Sequence, residues 1–395
     1  MWKTLIFDIM KIGIDCYHIK DQKGIERYIL NLLNFWKKEK DINFILYVGG
    51  NKSAKKIPKS ENFRTKILKG MISSTALFQH WLLPRQARKD KVDILFSPSY
   101  LLPFFYKGKT AVTIHDIIYE AHPEWFRFRS IQDKVLIKWM GRKSAKKADI
   151  IFTPSEFTKQ EINKSYEVRL CKIVITPLAA DEIFQQKKNE NELKKIKQKY
   201  GIKKNYFLFA AAIFERRCVT ESILAFQKIA KKYPNFQYLI IGKDFTSSQN
   251  ISVLVKKTNS QLERQAIIYK PSFVGNKELV TLYHGAYALI YLSVYEGFGL
   301  PVVEAQACGV PVITSDGTSL DEITTTEIQN EKRKIKSALI INSKNPKEIT
   351  QAMDKIIDNK GGLRDKLIQA GYQNVKRFSW EKCAKDTLNT LKRQI

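Results

Sequence analysis

Short apolar runs alternate with helical periodicity along this chain, and the series is written twice. In the first half, residues 11–16 (KIGIDC), 44–48 (FILYV), 92–97 (VDILFS), 110–115 (TAVTIH), 149–154 (DIIFTP) and 172–177 (KIVITP) read as buried strands. Between the first two, residues 25–36 place Ile29, Leu32, Leu33 and Trp36 on one helical face. A lysine-rich polar stretch, 185–204, reads as a linker. The pattern then restarts with strands at 206–211 (YFLFAA), 237–242 (QYLIIG), 267–269, 288–293 (ALIYLS), 310–314 (VPVIT) and 338–342 (ALIIN), and a helix at 221–232. Alternating strands and helices require parallel sheets covered on both faces. Two series in 395 residues exceed one ordinary core and give two doubly wound α/β domains. The expected division is 1–184, a linker 185–204, 205–378, and a terminal helix 379–395 with Trp380, Ala384, Leu388 and Leu391 on one face. Ligands of such sheets bind at the carboxyl ends of the strands, so the expected site is a cleft that the two domains face across.

Charge narrows the partners. The formal net charge is +29, and residues 51–150 alone carry 21 Lys/Arg against 8 Asp/Glu. Such a surface attracts phosphates, whether of lipid headgroups or lipid pyrophosphates, unless lysine simply fills surface positions. No nucleic-acid-binding motif accompanies the charge, so nucleic acid is not expected as a partner. Five cysteines, odd in number and without a CxxC pair, give no disulfide framework or zinc site and fit a reducing compartment. No apolar run approaches the ~18 residues of a membrane span. Residues 1–10 are apolar but carry Asp8 and no cleavage-like site, unlike a signal peptide. The expected location is cytoplasmic, in solution or peripheral on the cytoplasmic face of the membrane.

The chemistry concentrates in residues 288–316 (ALIYLSVYEGFGLPVVEAQACGVPVITSD). A strand runs into the loop around Glu296, Gly297, Phe298, Gly299 and Leu300. Pro301 suits the first position of a helix, Gly309 its end, and Pro311 forbids continuation. Glycines let backbone approach a ligand closely, and a helix start adds positive partial charge, which suits a diphosphate or a sugar hydroxyl. Glu296 in the loop can reach sugar hydroxyls, and Glu304, read in the helix's first turn, a ribose diol. A packing turn with a helix-stabilising glutamate is the structural alternative.

The segment 296–304 resembles the E-x7-E motif of the family-4 retaining glycosyltransferases, which have the GT-B fold. Further blocks follow in that family's order: 11–33 (KIGIDC…KGIERYILNLL), 78–103 (FQHWLLPRQARKDKVDILFSPSYLLP), 112–126 (VTIHDIIYEAHPEWF), 153–162 (TPSEFTKQEI), 175–184 (ITPLAADEIF) and 378–391 (FSWEKCAKDTLNTL). The likeness covers nearly the whole chain. It implies two Rossmann-like domains, with the terminal helix returning to the first. It implies hexose transfer from a nucleotide-diphosphate sugar, GDP-mannose or a UDP-sugar, to a saccharide acceptor, in the manner of bacterial mannosyl- and glycosyltransferases of surface-polysaccharide synthesis. Neither cofactor nor metal is expected for the chemistry.

By the same resemblance, Glu304 holds the donor ribose, and Glu296 with Gly297, Phe298, Gly299 and Leu300 holds sugar and phosphate. Arg217, beside Arg216, falls where the family usually has a diphosphate-binding lysine; arginine can do this bidentately. His115 is expected to face the donor sugar across the cleft, with Asp116 orienting it or the acceptor. Gly24, in the loop before the first helix, admits a phosphate near Arg27. The implied mechanism is retention by front-face attack, the leaving diphosphate taking the acceptor proton. Several positions, most of them around the donor, depart from the pattern: Glu26, Ala211 and Ser272 stand where the family usually has glycine, and Cys218 where it has asparagine. They raise an alternative, a catalytically weak nucleotide-sugar-binding subunit of a glycosyltransferase complex.

The basic block includes Lys66, Lys69, Arg85, Arg88, Arg127, Arg129, Lys134, Lys138, Arg142, Lys143 and Lys147, interleaved with Phe78, Trp81, Phe104, Phe105, Trp125, Phe126, Phe128 and Trp139. In this family the first domain binds the acceptor. Cations mixed with aromatics suit a lipid-linked saccharide acceptor and an anionic membrane surface. The oligomeric state is left open.

Overall fold

The computed structural model describes residues 9–19, 23–68, 75–126, 128, 130–247, 250–327 and 334–395. Residues 1–8, Lys69, Arg127 and Arg129, which figure above, lie outside the described residues. The chain forms two compact units, one of residues up to Leu178 together with Trp380–Ile395, the other Ala179–Ser379.

The first unit carries seven strands: β1 (Met10–Asp15), β2 (Ile42–Val48), β3 (Phe63–Ile67), β4 (Ile94–Ser97), β5 (Lys109–Thr113), β6 (Ile150–Thr153) and β7 (Ile173–Ile175). They lie in the order β3-β2-β1-β4-β5-β6-β7, and every pairing is parallel. The register runs from Met10 opposite Ile42 to Asp15 opposite Tyr47. Branched apolar runs suit these strands because both faces of a parallel sheet are covered. β3 (FRTKI) is an edge strand with most of its side chains in contact with water, and no apolar run announces it. β5 closes at Thr113, so His115 lies two residues past its strand rather than on its last position.

The second unit carries β8 (Asn205–Ala210), β9 (Phe236–Ile241), β10 (Ile267–Lys270), β11 (Ala288–Tyr291), β12 (Val312–Ser315), the short antiparallel pair β13 (Thr325–Glu327) and β14 (Lys334–Lys336), and β15 (Leu339–Ile341). The main sheet has the order β10-β9-β8-β11-β12-β15, again parallel. In both sheets the strand order reverses beside the first strand. Such a switch point leaves the loops after two neighbouring strands diverging, which opens a crevice for a ligand.

The stretch read as a linker is mostly helix. Helix Glu190–Tyr200 starts at Asn189, whose side chain accepts from the amides of Asn191 and Glu192, and stops at Gly201 with φ +69°. It belongs to the second unit, and the division falls after Leu178, not at 184. The C-terminal helix Trp380–Arg393 belongs to the first unit. It buries Trp380, Cys383, Ala384, Leu388 and Leu391. The indole of Trp36, at the end of helix Lys23–Trp36, donates to the carbonyl of Ala384 at 2.9 Å. No helix among the described residues is long and apolar enough to cross a membrane.

Candidate functional site

The switch point of the second sheet lies between β8 and β11, and both loops that leave it carry charge. After β8 a single 3-10 turn, Glu215–Arg217, presents two arginines before helix Val219–Lys232 begins. After β11 comes the glycine loop. The two loops meet at one carboxylate oxygen. Glu296 Oε1 accepts from Arg217 Nε at 2.9 Å, Tyr291 OH at 3.1 Å and Ser293 Oγ at 3.3 Å, and lies 3.9 Å from Arg216 Nε. Arg217 also donates to the carbonyl of Ala212 at 2.6 Å and lies over the Tyr291 ring at 5.4 Å. Arg216 stacks over Phe214 at 4.6 Å. All three charged side chains are 12–13% exposed. Burial alone would raise the Glu296 carboxyl, but Arg217 and Arg216 beside it hold it below the usual glutamate value. Two guanidinium groups thus converge on one carboxylate.

The glycine loop is shaped from beneath. Ser319 Oγ donates to the carbonyls of Glu296 (2.7 Å) and Phe298 (3.1 Å). Phe298 is buried, edge-on to Phe378 at 5.4 Å. Gly299 has φ +110°, and a Cβ there would sit 2.3 Å from Leu320 Cδ2, so both backbone and space require glycine. Helix Leu300–Ala307 follows, with Pro301 at its second rather than first position. Gly309, with φ +71°, follows its end. Glu304 is not in the first turn. It is the fifth helical residue, buried at 4% exposure, and Tyr283 OH donates to its Oε2 at 3.4 Å.

In the first unit, His115 is half-buried between rings, with Tyr28 at 4.9 Å and Tyr100 at 5.8 Å. Its Nε2 lies 3.1 Å from the carbonyl of Pro98. A carbonyl only accepts, so Nε2 carries the proton and Nδ1 is the acceptor nitrogen. Burial lowers its pKa to about 4, and the imidazole is neutral near pH 7. Asp116 accepts from Tyr100 OH at 3.2 Å and from the amide of Ile118 at 3.2 Å, which fixes the turn beyond β5. Gly24 is not in a loop. It stands, exposed, in the first turn of helix Lys23–Trp36, where a Cβ would meet no described atom. Arg27 is half-buried one turn on, its carbonyl accepting from the Asn31 side chain at 3.0 Å. Glu26 is paired with Lys56 at 2.6 Å, which offsets the negative charge it brings to this helix end.

The profile described as Glycosyltransferase Family 4 matches residues 22–182, and that described as Glycosyl transferases group 1 matches residues 191–374. The chain belongs to the family-4 glycosyltransferases. This transferase is 26% identical over 390 residues to O-antigen chain mannosyltransferase B of Escherichia coli, covering 93% of this chain and 96% of that one. It is 30% identical over 254 residues to O-antigen chain mannosyltransferase RfbU of Salmonella typhimurium, covering 63% of this chain and 64% of that one. Among solved structures, Anabaena HepE, in complex with UDP and glucose, matches with a TM-score of 0.71 at 14% identity, over 97% of this chain and 100% of that one. At that identity the likeness carries the fold, which is GT-B.

Three parts of the transferase's second-unit cluster escaped the reading of its sequence. Tyr291 holds Glu296 and underlies Arg217, yet in the run ALIYLS it reads as a core position. Phe214 is the platform for both arginines, and its only signal is an aromatic just ahead of Glu-Arg-Arg. Ser319 ties the loop carbonyls from a helix more than twenty residues downstream. Among the departures, Cys218 has a left-handed backbone (φ +45°), and burial of its thiol raises the pKa to about 11. Asparagine tolerates that backbone better than cysteine does. Among the described residues, no three His, Cys, Asp or Glu side chains are placed to hold a metal ion.

Proposed function

We propose that this glycosyltransferase moves a hexose, with retention at the anomeric carbon, from a nucleoside-diphosphate sugar to a saccharide hydroxyl on a lipid-linked acceptor at the cytoplasmic face of a membrane. The observation that carries the reading is the convergence of Arg216 and Arg217 on one carboxylate beside a glycine loop at a switch point. Two converging guanidinium groups suit a diphosphate, and nearly buried ones bind it more strongly than surface ones. Glu296 and the loop amides hold the sugar, and Glu304 the ribose. The names of the two mannosyltransferase relatives favour GDP-mannose as donor, and the UDP bound by HepE keeps a UDP-sugar as the second choice.

In the transfer, the bond from the anomeric carbon to the β-phosphate oxygen breaks, and its electron pair leaves with the diphosphate. The acceptor oxygen attacks from the same face and passes its proton to that phosphate oxygen, so configuration is kept. The arginines stabilise charge as it builds on the leaving group. His115, neutral with Nδ1 as acceptor, takes a hydrogen bond from a sugar hydroxyl. The partner-subunit alternative is not favoured: both relatives carry transferase names, and Ala211 and Cys218 leave the arginine pair in place.

The test is melting temperature against a panel of nucleoside diphosphates and their sugars, for wild type and Glu304→Ala. A ligand at about 100 times its Kd stabilises the native state by about 2.7 kcal/mol. One nucleotide should shift the wild type and lose its effect in the variant. No shift with any nucleotide at millimolar concentration would refute the reading.

A further inference from the structure

Helix Ile131–Lys147 wears its apolar residues on the outside. The residues it buries are small, Gly141, Ser144 and Ala145. Its large ones face water: Ile131 is 80% exposed, Val135 63%, Leu136 51% and Trp139 49%. A helix that only covered a sheet would do the reverse. Ile131, Val135 and Trp139 recur at a spacing of four and share one stripe.

More aromatic surface adjoins it. The Trp139 ring meets the edge of Phe104 at 5.2 Å, and Phe104 stacks on His80 at 4.5 Å. The next residue of each, Phe105 and Trp81, is exposed, with the two rings 5.8 Å apart. This second tip is held rather than loose. Lys147 Nζ donates to the carbonyls of Pro103 (2.6 Å) and Phe104 (2.9 Å), and Arg88 donates to that of Phe105. A π turn, Phe78–Leu82, carries His80 inward and Trp81 outward.

Cations stand among these groups. Lys143 Nζ lies 4.7 Å from the centre of the Trp139 ring. Lys138 and Arg142 share one carboxylate, Glu120, at 3.8 and 3.2 Å. Lys134 lies 5.8 Å from the Phe128 ring.

We propose that this patch docks on an anionic bilayer, with Trp139, Leu136, Val135 and the Trp81–Phe105 tip entering the headgroup region and the lysines meeting lipid phosphates. The proposal rests on the lipid-linked acceptor inferred above and names the surface that brings the enzyme to it. Exposed tryptophan and leucine next to lysine is the composition of a helix lying in a membrane interface, where ring and alkyl stem bury while ammonium groups stay wet. A second copy of the chain would set these lysines against one another. Nucleic acid would meet the charge but leave the aliphatic stripe in water.

The experiment is co-sedimentation with phosphatidylcholine vesicles, with and without phosphatidylglycerol, for wild type, the double variant Leu136→Ala/Trp139→Ala and the double variant Lys134→Gln/Lys143→Gln. Wild type should bind only the anionic vesicles, with tryptophan emission quenched by brominated lipid. The apolar variant should bind roughly tenfold more weakly, and the lysine variant should lose part of its salt dependence. The positions are exposed, so both variants should melt with wild type and keep their stabilisation by nucleoside diphosphate. Unchanged binding by the apolar variant, or binding abolished by salt without quenching, would reduce the contact to charge alone and overturn the proposal. So would a wild-type dimer that dissociates on Trp139→Ala, or RNA binding that the apolar variant loses. Failure of every nucleotide to stabilise wild type would instead refute the donor site and leave the vesicle result standing.

Discussion

Replacing Glu296 by Gln keeps the shape of the glycine loop and removes its charge. In the unliganded protein that carboxylate is the counter-charge to Arg217 at 2.9 Å and Arg216 at 3.9 Å, with each side chain 12–13% exposed. Removing one partner of a buried ion pair costs about 3–5 kcal/mol. Arg217 keeps its bond to Ala212 and Arg216 its place on Phe214, so the low end, about 3 kcal/mol, applies. The second unit spans about 200 residues. At ~2–4 °C per kcal/mol for that size, its Tm should fall by roughly 6–12 °C. The pH dependence has a definite sign. The arginines hold the folded-state pKa of Glu296 below its ordinary 4.5, so the wild type's advantage is full above that value and disappears as pH falls through the lower folded one. Ligand should not widen the gap: a nucleoside diphosphate brings negative charge to the arginines and stabilises Glu296→Gln at least as much as wild type, while hexose transfer falls. Differential scanning fluorimetry at pH 7 with and without GDP or UDP reads all of this. A variant that melts within ~1 °C of wild type, or that loses its nucleotide stabilisation, would refute the role of Glu296 as counter-charge.

Arg217→Met should raise the Kd for the nucleoside diphosphate by roughly ten- to hundredfold in titration calorimetry, the loss of one charge-assisted contact. Gly299→Ala forces a side chain onto Leu320 at φ +110° and should destabilise the second unit by ~1–3 kcal/mol, read in urea. For His115 the folded pKa of about 4 lies below the ordinary 6.5, so the unfolded chain takes up the proton first as pH falls. Wild-type stability should therefore decline from pH 6.5 toward 4, and His115→Gln should flatten that slope in denaturant melts between those values.

The strands that form both sheet centres were legible because parallel strands bury both faces and so read as unbroken apolar runs. β3 was not, since an edge strand such as FRTKI keeps most of its side chains in water. Helix Glu190–Tyr200 reads as a linker for a related reason: it fully buries only Leu193 and Tyr200, too thin a stripe to stand out among its lysines. The glycine loop was legible through Gly299 and Pro301, where backbone demands leave few residue types. The turn that Glu304 occupies was not, because where a helix begins depends on where Ser319 and Leu320 pin the loop. The apolar stripe of helix Ile131–Lys147 was invisible for the opposite reason. Periodicity shows that a face exists, and only packing shows whether that face is covered.

The pairing of Trp36 with Ala384, 348 positions away in the chain, sets an order of assembly during synthesis. The first unit needs Trp380–Arg393 to cover Trp36 and the neighbouring helix, so its core stays open while the whole second unit is being made. At ~5–20 residues per second, those intervening residues take roughly 10–40 s. The half that emerges first from the ribosome is therefore the half that finishes last. For that interval it holds Trp36 and its apolar neighbours uncovered, a target for chaperones.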